Sequence, residues 1–249
     1  MLIFRHDLIY PFRDWPAADQ VTGLPGATLR QLTADDGTTV IAWAVPPRPG
    51  KPVILYFMGN AGSLASAAPK LAELAHAGFG IAALNYRGAG GAEGEPRQAD
   101  IVDDGVLLAD QLSAITGWQG DPVIYGTSLG AAVAAQVATR RQPAALILET
   151  PFARLCETAQ HHYPLIPACL LLQDERWESA EAVTQIQAPV LVLHGDADRI
   201  IPIQHGQQLF EAANQPKKMI VYPGGRHNDL RLHGAGIDII SFLNRLGGR

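Results

Sequence analysis

The apolar residues of this chain fall into two kinds of stretch that alternate along most of its length. Short apolar runs flanked by glycine or proline, such as Val53 to Phe57 and Phe79 to Leu84, are too short for helices and predict buried strands. The longer segment between them, Ser63 to Ala77, is rich in Ala and Leu and ends at Gly78, which predicts a helix. This alternation is typical of a mostly parallel sheet between two helical layers, so we predict the α/β fold class.

The remaining segments extend this pattern to eight predicted strands. Ala27 to Thr33 and Thr38 to Val45 are separated by a turn containing Asp36-Gly37, which favours a hairpin and an antiparallel start to the sheet. The further predicted elements are a helix from about Ala99 to Ile115, strand Pro122 to Tyr125, helix Leu129 to Arg140, strands Ala144 to Leu148 and Val190 to His194, helix Ile203 to Ala213, strand Lys217 to Tyr222 and a helix from about His233 to Leu246.

The interval from Pro151 to Ala188 interrupts the alternation. It has no strand-like run, and it contains Pro164, Pro167 and the apolar stretch Ala168 to Leu172. We therefore predict a single domain over residues 1–249, with a short helical lid inserted at about residues 152–187.

Composition and charge exclude several classes of protein. The formal net charge of -5 and the pI near 5.9 exclude general attraction to nucleic acid, which needs excess Lys and Arg. The stretch Met1 to Trp15 holds no apolar run near the roughly 20 residues that span a bilayer, and no signal sequence. These features predict a cytoplasmic protein without a stable membrane anchor, and they leave the oligomeric state open.

The two cysteines, Cys156 and Cys169, are too few for a disulfide-stapled scaffold and lack the spacing of a zinc site. We expect both to be free thiols. A single disulfide between them is the alternative, because both lie in the predicted lid.

A candidate nucleophile lies in Gly126-Thr127-Ser128-Leu129-Gly130, between a predicted strand and a predicted helix. In the pattern Gly-x-Ser-x-Gly a strand turns sharply into a helix, and the two glycines let neighbouring chain pass close to a strained serine. The helix start also places N–H groups and the positive end of its dipole beside Ser128, which favours the negative charge of acyl transfer. We predict that Ser128 is the nucleophile, with a tight structural turn as the alternative.

Three motifs together resemble the α/β-hydrolase superfamily. They are Gly59-Asn60-Ala61-Gly62 after the third strand, Asn85-Tyr86-Arg87-Gly88 after the fourth, and the serine motif. The resemblance is to the compact, short-lid branch, which includes serine aminopeptidase-like proteins, depalmitoylating thioesterases and esterases. It covers the chain from about Ala27 to the C-terminus and implies the α/β-hydrolase fold. That branch commonly has His-Gly-Asn-Ala-Gly after the third strand, whereas Met58 replaces the His here.

The resemblance also implies an oxyanion hole. In such enzymes it uses the N–H of the residue after the nucleophile and one N–H from the loop after the third strand. These positions are Leu129 and Asn60, with Ala61 as the alternative to Asn60. A plain strand-to-helix turn is the other interpretation of this loop.

The segment His194 to Pro202 follows a predicted strand and resembles the family motif whose second Asp is the catalytic acid. This implies Asp198, because a carboxylate there fixes the imidazole tautomer and stabilises the imidazolium. Asp196 is the first alternative and is expected to shape the loop. Glu149, at the end of another strand, is the second alternative.

His227 follows the last predicted strand, where the superfamily carries its catalytic base, and the chain order Ser, Asp, His is the expected one. A solvated surface histidine is the alternative. His194 is expected to pack below the acid loop, and the adjacent His161 and His162 point in different directions on a helix, so we predict no metal site. The glycine-rich stretch after the fourth strand lacks the spacing of a dinucleotide site, so we predict no cofactor.

The predicted reaction is acyl transfer from a small-molecule ester or other acyl substrate, with ester hydrolysis favoured, a thioester second and a peptide third. A non-catalytic binding protein on the same fold is the alternative of another class. The apolar lid residues either cover an acyl chain or pack onto the core, and we expect the second for most of Leu165, Ile166, Leu170, Leu171 and Leu172.

Overall fold

A computed structural model describes residues 9–12, 18–60, 62–90 and 92–246 of the chain. Within these ranges eight strands form one sheet, and every residue of four of the strands is buried. The strands are β1 (Thr28–Thr33), β2 (Thr39–Val45), β3 (Val53–Phe57), β4 (Gly80–Asn85), β5 (Val123–Thr127), β6 (Ala145–Glu149), β7 (Val190–Gly195) and β8 (Lys217–Tyr222).

The strand order in the sheet is β1-β2-β4-β3-β5-β6-β7-β8. β2 pairs antiparallel with both β1 and β4, and all other neighbours pair in parallel. The predicted fold class is therefore confirmed, with a mostly parallel sheet and an antiparallel start. Strands covered on both faces have no solvated side, which explains why their sequences are continuous apolar runs.

Helices cover both faces of the sheet. They are α1 (Leu64–His76), α2 (Gln98–Asp110), α3 (Leu112–Thr116), α4 (Leu129–Arg140), α5 (Leu155–His162), α6 (Ala168–Leu171), α7 (Ser179–Ala182), α8 (Ile203–Ala212) and α9 (Ala235–Leu246), with short 3-10 helices at Val183–Gln185 and Leu230–His233. α1 packs against α9, whereas α4 packs against α2 and α7, and α7 against α8. Most of these helices lie in the long crossovers that parallel strand pairing requires.

Two predicted helices differ in detail from the structure. The helix predicted from about Ala99 to Ile115 is divided into α2 and α3 at Gln111, where φ is -93° and ψ is 0°. The final helix begins at Ala235 instead of His233. Gly234 precedes it with φ of 96°, a conformation that suits glycine and ends the 3-10 helix before α9 starts.

The interval between β6 and β7 consists of α5, α6, α7 and a 3-10 helix, and the expectation of free thiols within it is wrong. Cys156 on α5 and Cys169 on α6 form a disulfide across 13 residues of sequence. The turn between these helices brings the two side chains together, which the spacing alone did not show. Because disulfides persist in oxidising compartments, this bond runs against the cytoplasmic location, which stays a prediction.

The apolar residues of the same interval also depart from expectation. We expected most of them to pack onto the core, but only Leu172 is buried. Leu165 is 97% exposed and Leu170 is 69% exposed, and Ile166 and Leu171 also face solvent in large part. Proline-rich turns and very short helices present too little surface to bury every apolar side chain. No helix among the described residues has the length and apolar character to span a bilayer.

The loops after β3, β5, β7 and β8 leave the sheet at one edge, because these strands run parallel. These loops contain the predicted oxyanion, nucleophile, acid and base residues. Crevices at the carboxyl edge of parallel strands are where open α/β sheets bind ligands. The topology therefore predicts that residues far apart in sequence meet there.

Candidate active site

Ser128 lies at the turn from β5 into α4 in a backbone conformation that is rare for a residue with a side chain. Its φ is 56° and its ψ is -120°, and its N–H donates to the carbonyl oxygen of Glu149 at 2.9 Å. A Cβ at Gly126 would lie 2.0 Å from the carbonyl oxygen of Gly130, and a Cβ at Gly130 would lie 2.1 Å from that of Phe57. The surrounding backbone therefore holds the strained turn, and both glycines are required for it.

His227 connects Ser128 to Asp198 through its two ring nitrogens. Its Nε2 lies 3.0 Å from Ser128 Oγ, and its Nδ1 lies 2.7 Å from Asp198 Oδ2. Because an ionised carboxylate only accepts hydrogen bonds, Nδ1 carries the proton of the neutral imidazole. This tautomer leaves Nε2 to accept the hydrogen bond from the serine hydroxyl. All three residues are buried, which reduces screening of these interactions by solvent.

The Asp198 carboxylate is held by several donors. Its Oδ1 accepts the N–H groups of Ile200 at 2.8 Å and Ile201 at 2.9 Å. His194 Nε2 donates to the carbonyl oxygen of Ile201 at 2.9 Å and lies 3.4 Å from Asp198 Oδ2. Burial alone raises the pKa of Asp198, but the hydrogen bonds from His194 and His227 outweigh burial and lower this pKa well below its usual range. Asp198 is therefore ionised at neutral pH.

The two alternative acids have other partners. The exposed Asp196 accepts the N–H of Gly224 at 2.7 Å, which links the loop after β7 to the loop after β8. Glu149 is buried, forms an ion pair with Lys70 at 2.7 Å and accepts a hydrogen bond from the Tyr125 hydroxyl. Asp196 thus shapes the loop, and Glu149 is the partner of a buried ion pair.

Backbone contacts bind the acid loop to the base loop. The N–H of Ala197 donates to the carbonyl oxygen of Gly225 at 3.0 Å. A Cβ at Gly195 would lie 2.1 Å from the same oxygen, so only glycine permits this approach. Asp229 accepts the N–H of Arg226 at 2.6 Å and closes the turn that carries His227. The two loops therefore hold Asp198 and His227 in one geometry.

The two residues predicted to form the oxyanion hole come from different parts of the chain that meet near Ser128. Leu129 is the first residue of α4, so its N–H has no acceptor one turn earlier in the helix. Asn60 follows β3 and lines the same cavity as Ser128 and Leu129. A Cβ at Gly59 would lie 3.3 Å from the Cβ of Ser128, which shows how closely this loop passes the serine. Ala61, the alternative to Asn60, lies outside the described residues.

Two cavities meet at Ser128 and differ in character. The larger, of about 420 Å³, extends past His227 and is lined by polar and charged groups that include Lys70, Glu149 and Arg231. The smaller, of about 240 Å³, extends past Leu129 and is mainly apolar. Its walls include Ile9, Phe152, Leu155, Ala159, Leu172 and Ile201.

Sequence reasoning did not find Lys70, Arg231 or Ile9 as parts of this site. Lys70 lies on α1 and Arg231 on a 3-10 helix, and neither belongs to a motif that marks a site. Ile9 lies well before the region of family resemblance. The described residues contain no group of three or more His, Cys, Asp or Glu side chains able to hold a metal ion.

The fold is that of the α/β-hydrolases. Puromycin hydrolase superimposes with a TM-score of 0.74 at 21% identity, over 93% of this chain and 41% of its own. Pyrococcus furiosus esterase Pf2001 gives 0.73 at 16% identity, over 95% of this chain and 98% of its own. Est1E from Butyrivibrio proteoclasticus, solved with ferulic acid, gives 0.73 at 17% identity, over 88% and 100% respectively. At these identities the likeness concerns the fold.

Within this class, the chain belongs to the family described as serine aminopeptidase, S33, which matches residues 48–177 and 162–231. The uncharacterized protein Rv2307c of Mycobacterium tuberculosis is 36% identical over 220 residues, which are 87% of this chain and 77% of that protein. Lysophosphatidylserine lipase ABHD12 of Danio rerio is 32% identical over 218 residues, which are 80% of this chain and 53% of that protein. The predicted membership of the α/β-hydrolase superfamily is therefore confirmed.

Proposed function

We propose that this chain is a serine hydrolase that cleaves a carboxylic ester through an acyl-enzyme. The observation that carries the proposal is the unbroken line of hydrogen bonds from Asp198 through His227 to Ser128. The strained backbone of Ser128 is a costly feature that a non-catalytic binding protein does not need, and the ionised Asp198 supplies the charge that orients His227.

In the first step Ser128 Oγ attacks the ester carbonyl carbon while His227 Nε2 takes the hydroxyl proton. The N–H groups of Leu129 and Asn60 donate to the oxyanion that forms. The tetrahedral intermediate then collapses, and the imidazolium gives its proton to the departing alcohol oxygen. Water attacks the acyl-enzyme by the same path and releases the acid, which restores Ser128 Oγ–H.

The apolar cavity suits the acyl group. His227 must reach the leaving oxygen to protonate it, so the leaving group occupies the cavity that His227 lines, and the acyl chain occupies the cavity beyond Leu129. A methylene group is about the size of a water molecule, which occupies about 30 Å³, so a cavity of about 240 Å³ holds about eight acyl carbons. We propose residues 152–187 as a lid, since Leu155 and Ala159 of α5 form one wall of this cavity.

The test is hydrolysis of a p-nitrophenyl ester series from acetate to palmitate, combined with labelling by a fluorophosphonate probe. We expect the highest kcat/KM near about eight acyl carbons, because longer chains exceed the cavity volume. The labelled peptide, identified by mass spectrometry, should contain Ser128. If the protein neither hydrolyses any ester nor reacts with the probe, the result favours a non-catalytic binding protein over the proposed hydrolase.

The charged walls of the larger cavity favour a leaving group with an anionic substituent. Burial lowers the pKa of the Lys70 ammonium, but the charge of Glu149 outweighs burial and raises it, so Lys70 is charged and neutralises Glu149. No ion pair joins Arg231 to a carboxylate within the described residues. Arg231 therefore leaves the cavity with an uncompensated positive charge. The name of the Danio rerio relative, a lipase for lysophosphatidylserine, also supports ester cleavage beside a charged group.

Replacing Arg231 with glutamine should lower this preference. We expect the ratio of kcat/KM for 1-butanoylglycerol 3-phosphate to that for 1-butanoylglycerol to fall about fivefold, the usual limit for an exposed ion pair. The matched control is Arg226→Gln, which removes another exposed arginine from the same region without touching the cavity. If this ratio of kcat/KM is unchanged in Arg231→Gln, or falls equally in Arg226→Gln, Arg231 does not select the substrate.

A thioester is the second candidate substrate, because the apolar cavity accepts an S-acyl group as readily as an O-acyl group. Comparing octanoyl esters and thioesters of one leaving-group skeleton decides between them. Two ratios of thioester to ester are compared: that of kcat/KM and that of the uncatalysed hydrolysis rates. If the first ratio is the larger, the enzyme prefers the thioester, and the thioester becomes the first candidate substrate.

A further inference from the structure

The loop after β3, which supplies the proposed oxyanion N–H of Asn60, has Met58 where the resembling branch commonly has His. Met58 is 1% exposed, and its side chain makes no hydrogen bond to any residue that the structure describes. A thioether is at most a weak acceptor. Something other than this side chain must hold the loop, because an oxyanion donor acts only within a narrow range of positions.

The Tyr86 hydroxyl holds the first end of this loop. It donates to the carbonyl oxygen of Met58 at 2.7 Å, and the Tyr86 side chain is fully buried. The ring of Tyr86 stacks with that of Phe12, with centroids 5.6 Å apart and an angle of 30° between the planes. The N–H of Gly90, in the loop after β4, also donates to the carbonyl oxygen of Phe12 at 3.4 Å.

The segment that carries Phe12 also contacts Asn60. We call residues 9–12 the strap. The side-chain amide of Asn60 donates to the carbonyl oxygen of Ile9 at 3.3 Å, and Ile9 is buried against the apolar cavity. The strap thus contacts the loop after β3 directly at Asn60 and indirectly, through Tyr86, at Met58.

The strap also contacts two residues in the second half of the proposed lid. The Tyr10 hydroxyl donates to the Glu175 carboxylate and accepts the indole N–H of Trp177 at 3.0 Å. Glu175 and Trp177 are both buried, and the Glu175 carboxylate also accepts the N–H of Gln98 at 3.1 Å. These buried contacts fix the position of the strap, and the bond from Asn60 to Ile9 links that position to the loop after β3.

We propose that the strap and Tyr86 are positioning elements that hold the Asn60 N–H at the oxyanion, in a chain that has Met58 where the branch commonly has His. This inference rests on the proposed function. The strap lies outside residues 48–231, the part of the chain that the family match spans. The oxyanion geometry of this chain therefore depends on residues beyond the matched region.

Tyr86→Phe tests the proposal, because it keeps the ring stacked on Phe12 and removes only the hydrogen bond to Met58. A loop displaced by a fraction of an ångström should lower kcat about tenfold with KM within about twofold, since the loss falls on the transition state. Affinity for a trifluoromethyl ketone matched to the acyl group, whose hemiketal oxyanion uses the same donors, should fall by the same factor.

Asn60→Ala is the second variant, since it keeps the backbone N–H and removes the side-chain bond to Ile9. It should show the same separation of kcat from KM. The matched control is Tyr222→Phe, which removes a buried tyrosine hydroxyl that donates to Asp238 at 2.9 Å, away from this loop. We expect Tyr222→Phe to lower Tm without changing kcat or ketone affinity.

The outcomes separate this inference from the proposed function. If the wild type hydrolyses esters and both loop variants lower only Tm, the contacts are merely structural and the inference is overturned while the function stands. A change in KM without a change in kcat also overturns it. If the wild type neither hydrolyses any ester nor binds the ketone, the proposed function fails and the inference fails with it.

Discussion

Ser128→Ala is expected to lower kcat by a factor of about 10⁶, with little change in KM, which is the size of loss found when the nucleophile of a triad is removed. Oγ is the only atom lost, and it is the atom that His227 Nε2 faces at 3.0 Å. The N–H of Leu129 and both cavities remain, so substrate binding should survive. Only the residual contribution of the oxyanion donors should then accelerate hydrolysis over water.

The measurement is single-substrate kinetics on the best p-nitrophenyl ester, with fluorophosphonate labelling of each variant. The matched control is Ser113→Ala, an exposed serine on α3 that should keep wild-type activity and labelling. The Ala variant should bind the product acid as the wild type does, which shows that it is folded. Labelling of Ser128→Ala at the wild-type rate would mean that another residue is the nucleophile.

Asp198→Asn is expected to lower kcat about 10⁴-fold, the size of effect seen when the orienting acid of a triad becomes an amide. The geometry around Asp198 gives the reason. Oδ1 accepts the N–H groups of Ile200 and Ile201, so the amide oxygen of Asn should take that position. The amide NH₂ would then face His227 Nδ1 and force the proton onto Nε2, which could no longer accept the proton of Ser128.

Asp196→Asn is the matched control, because Asp196 lies two residues away and accepts only the N–H of Gly224 within the described residues. An asparagine oxygen can accept the same bond, so kcat should change less than about threefold, as for surface substitutions away from special features. Equal losses in the two variants would place the acid elsewhere, with Glu149→Gln as the next test.

The sheet and the helices around it could be predicted from local patterns. Each buried strand is covered on both faces, and that environment requires an apolar run that the strand itself carries. For these strands and helices the predictions differ from the structure at boundaries, such as the division of one predicted helix at Gln111, where fraying and capping depend on neighbouring residues. The preference for pairing consecutive strands predicts only part of the strand order, because β4 lies between β2 and β3 in the sheet.

The candidate site was accessible from the sequence because its residues follow strands. Ser128 directly follows β5, Asp198 and His227 lie in the loops after β7 and β8, and the carboxyl ends of these parallel strands share an edge. Their catalytic roles remain predictions. The expectation of free thiols at Cys156 and Cys169 was wrong, because their spacing in the sequence does not show how the chain between them folds.

The sequence by itself determined the strands and helices, the fold class and the loops that carry the candidate chemistry. Each of these depends on the spacing of apolar residues within one segment and on the turn residues that bound it. Only the tertiary structure decided which distant groups meet. The ion pair of Lys70 with Glu149 spans 79 residues, and the bond from Asn60 to Ile9 spans 51. Such contacts depend on how helices and loops stack on the sheet, and no local pattern records a partner that lies in another segment.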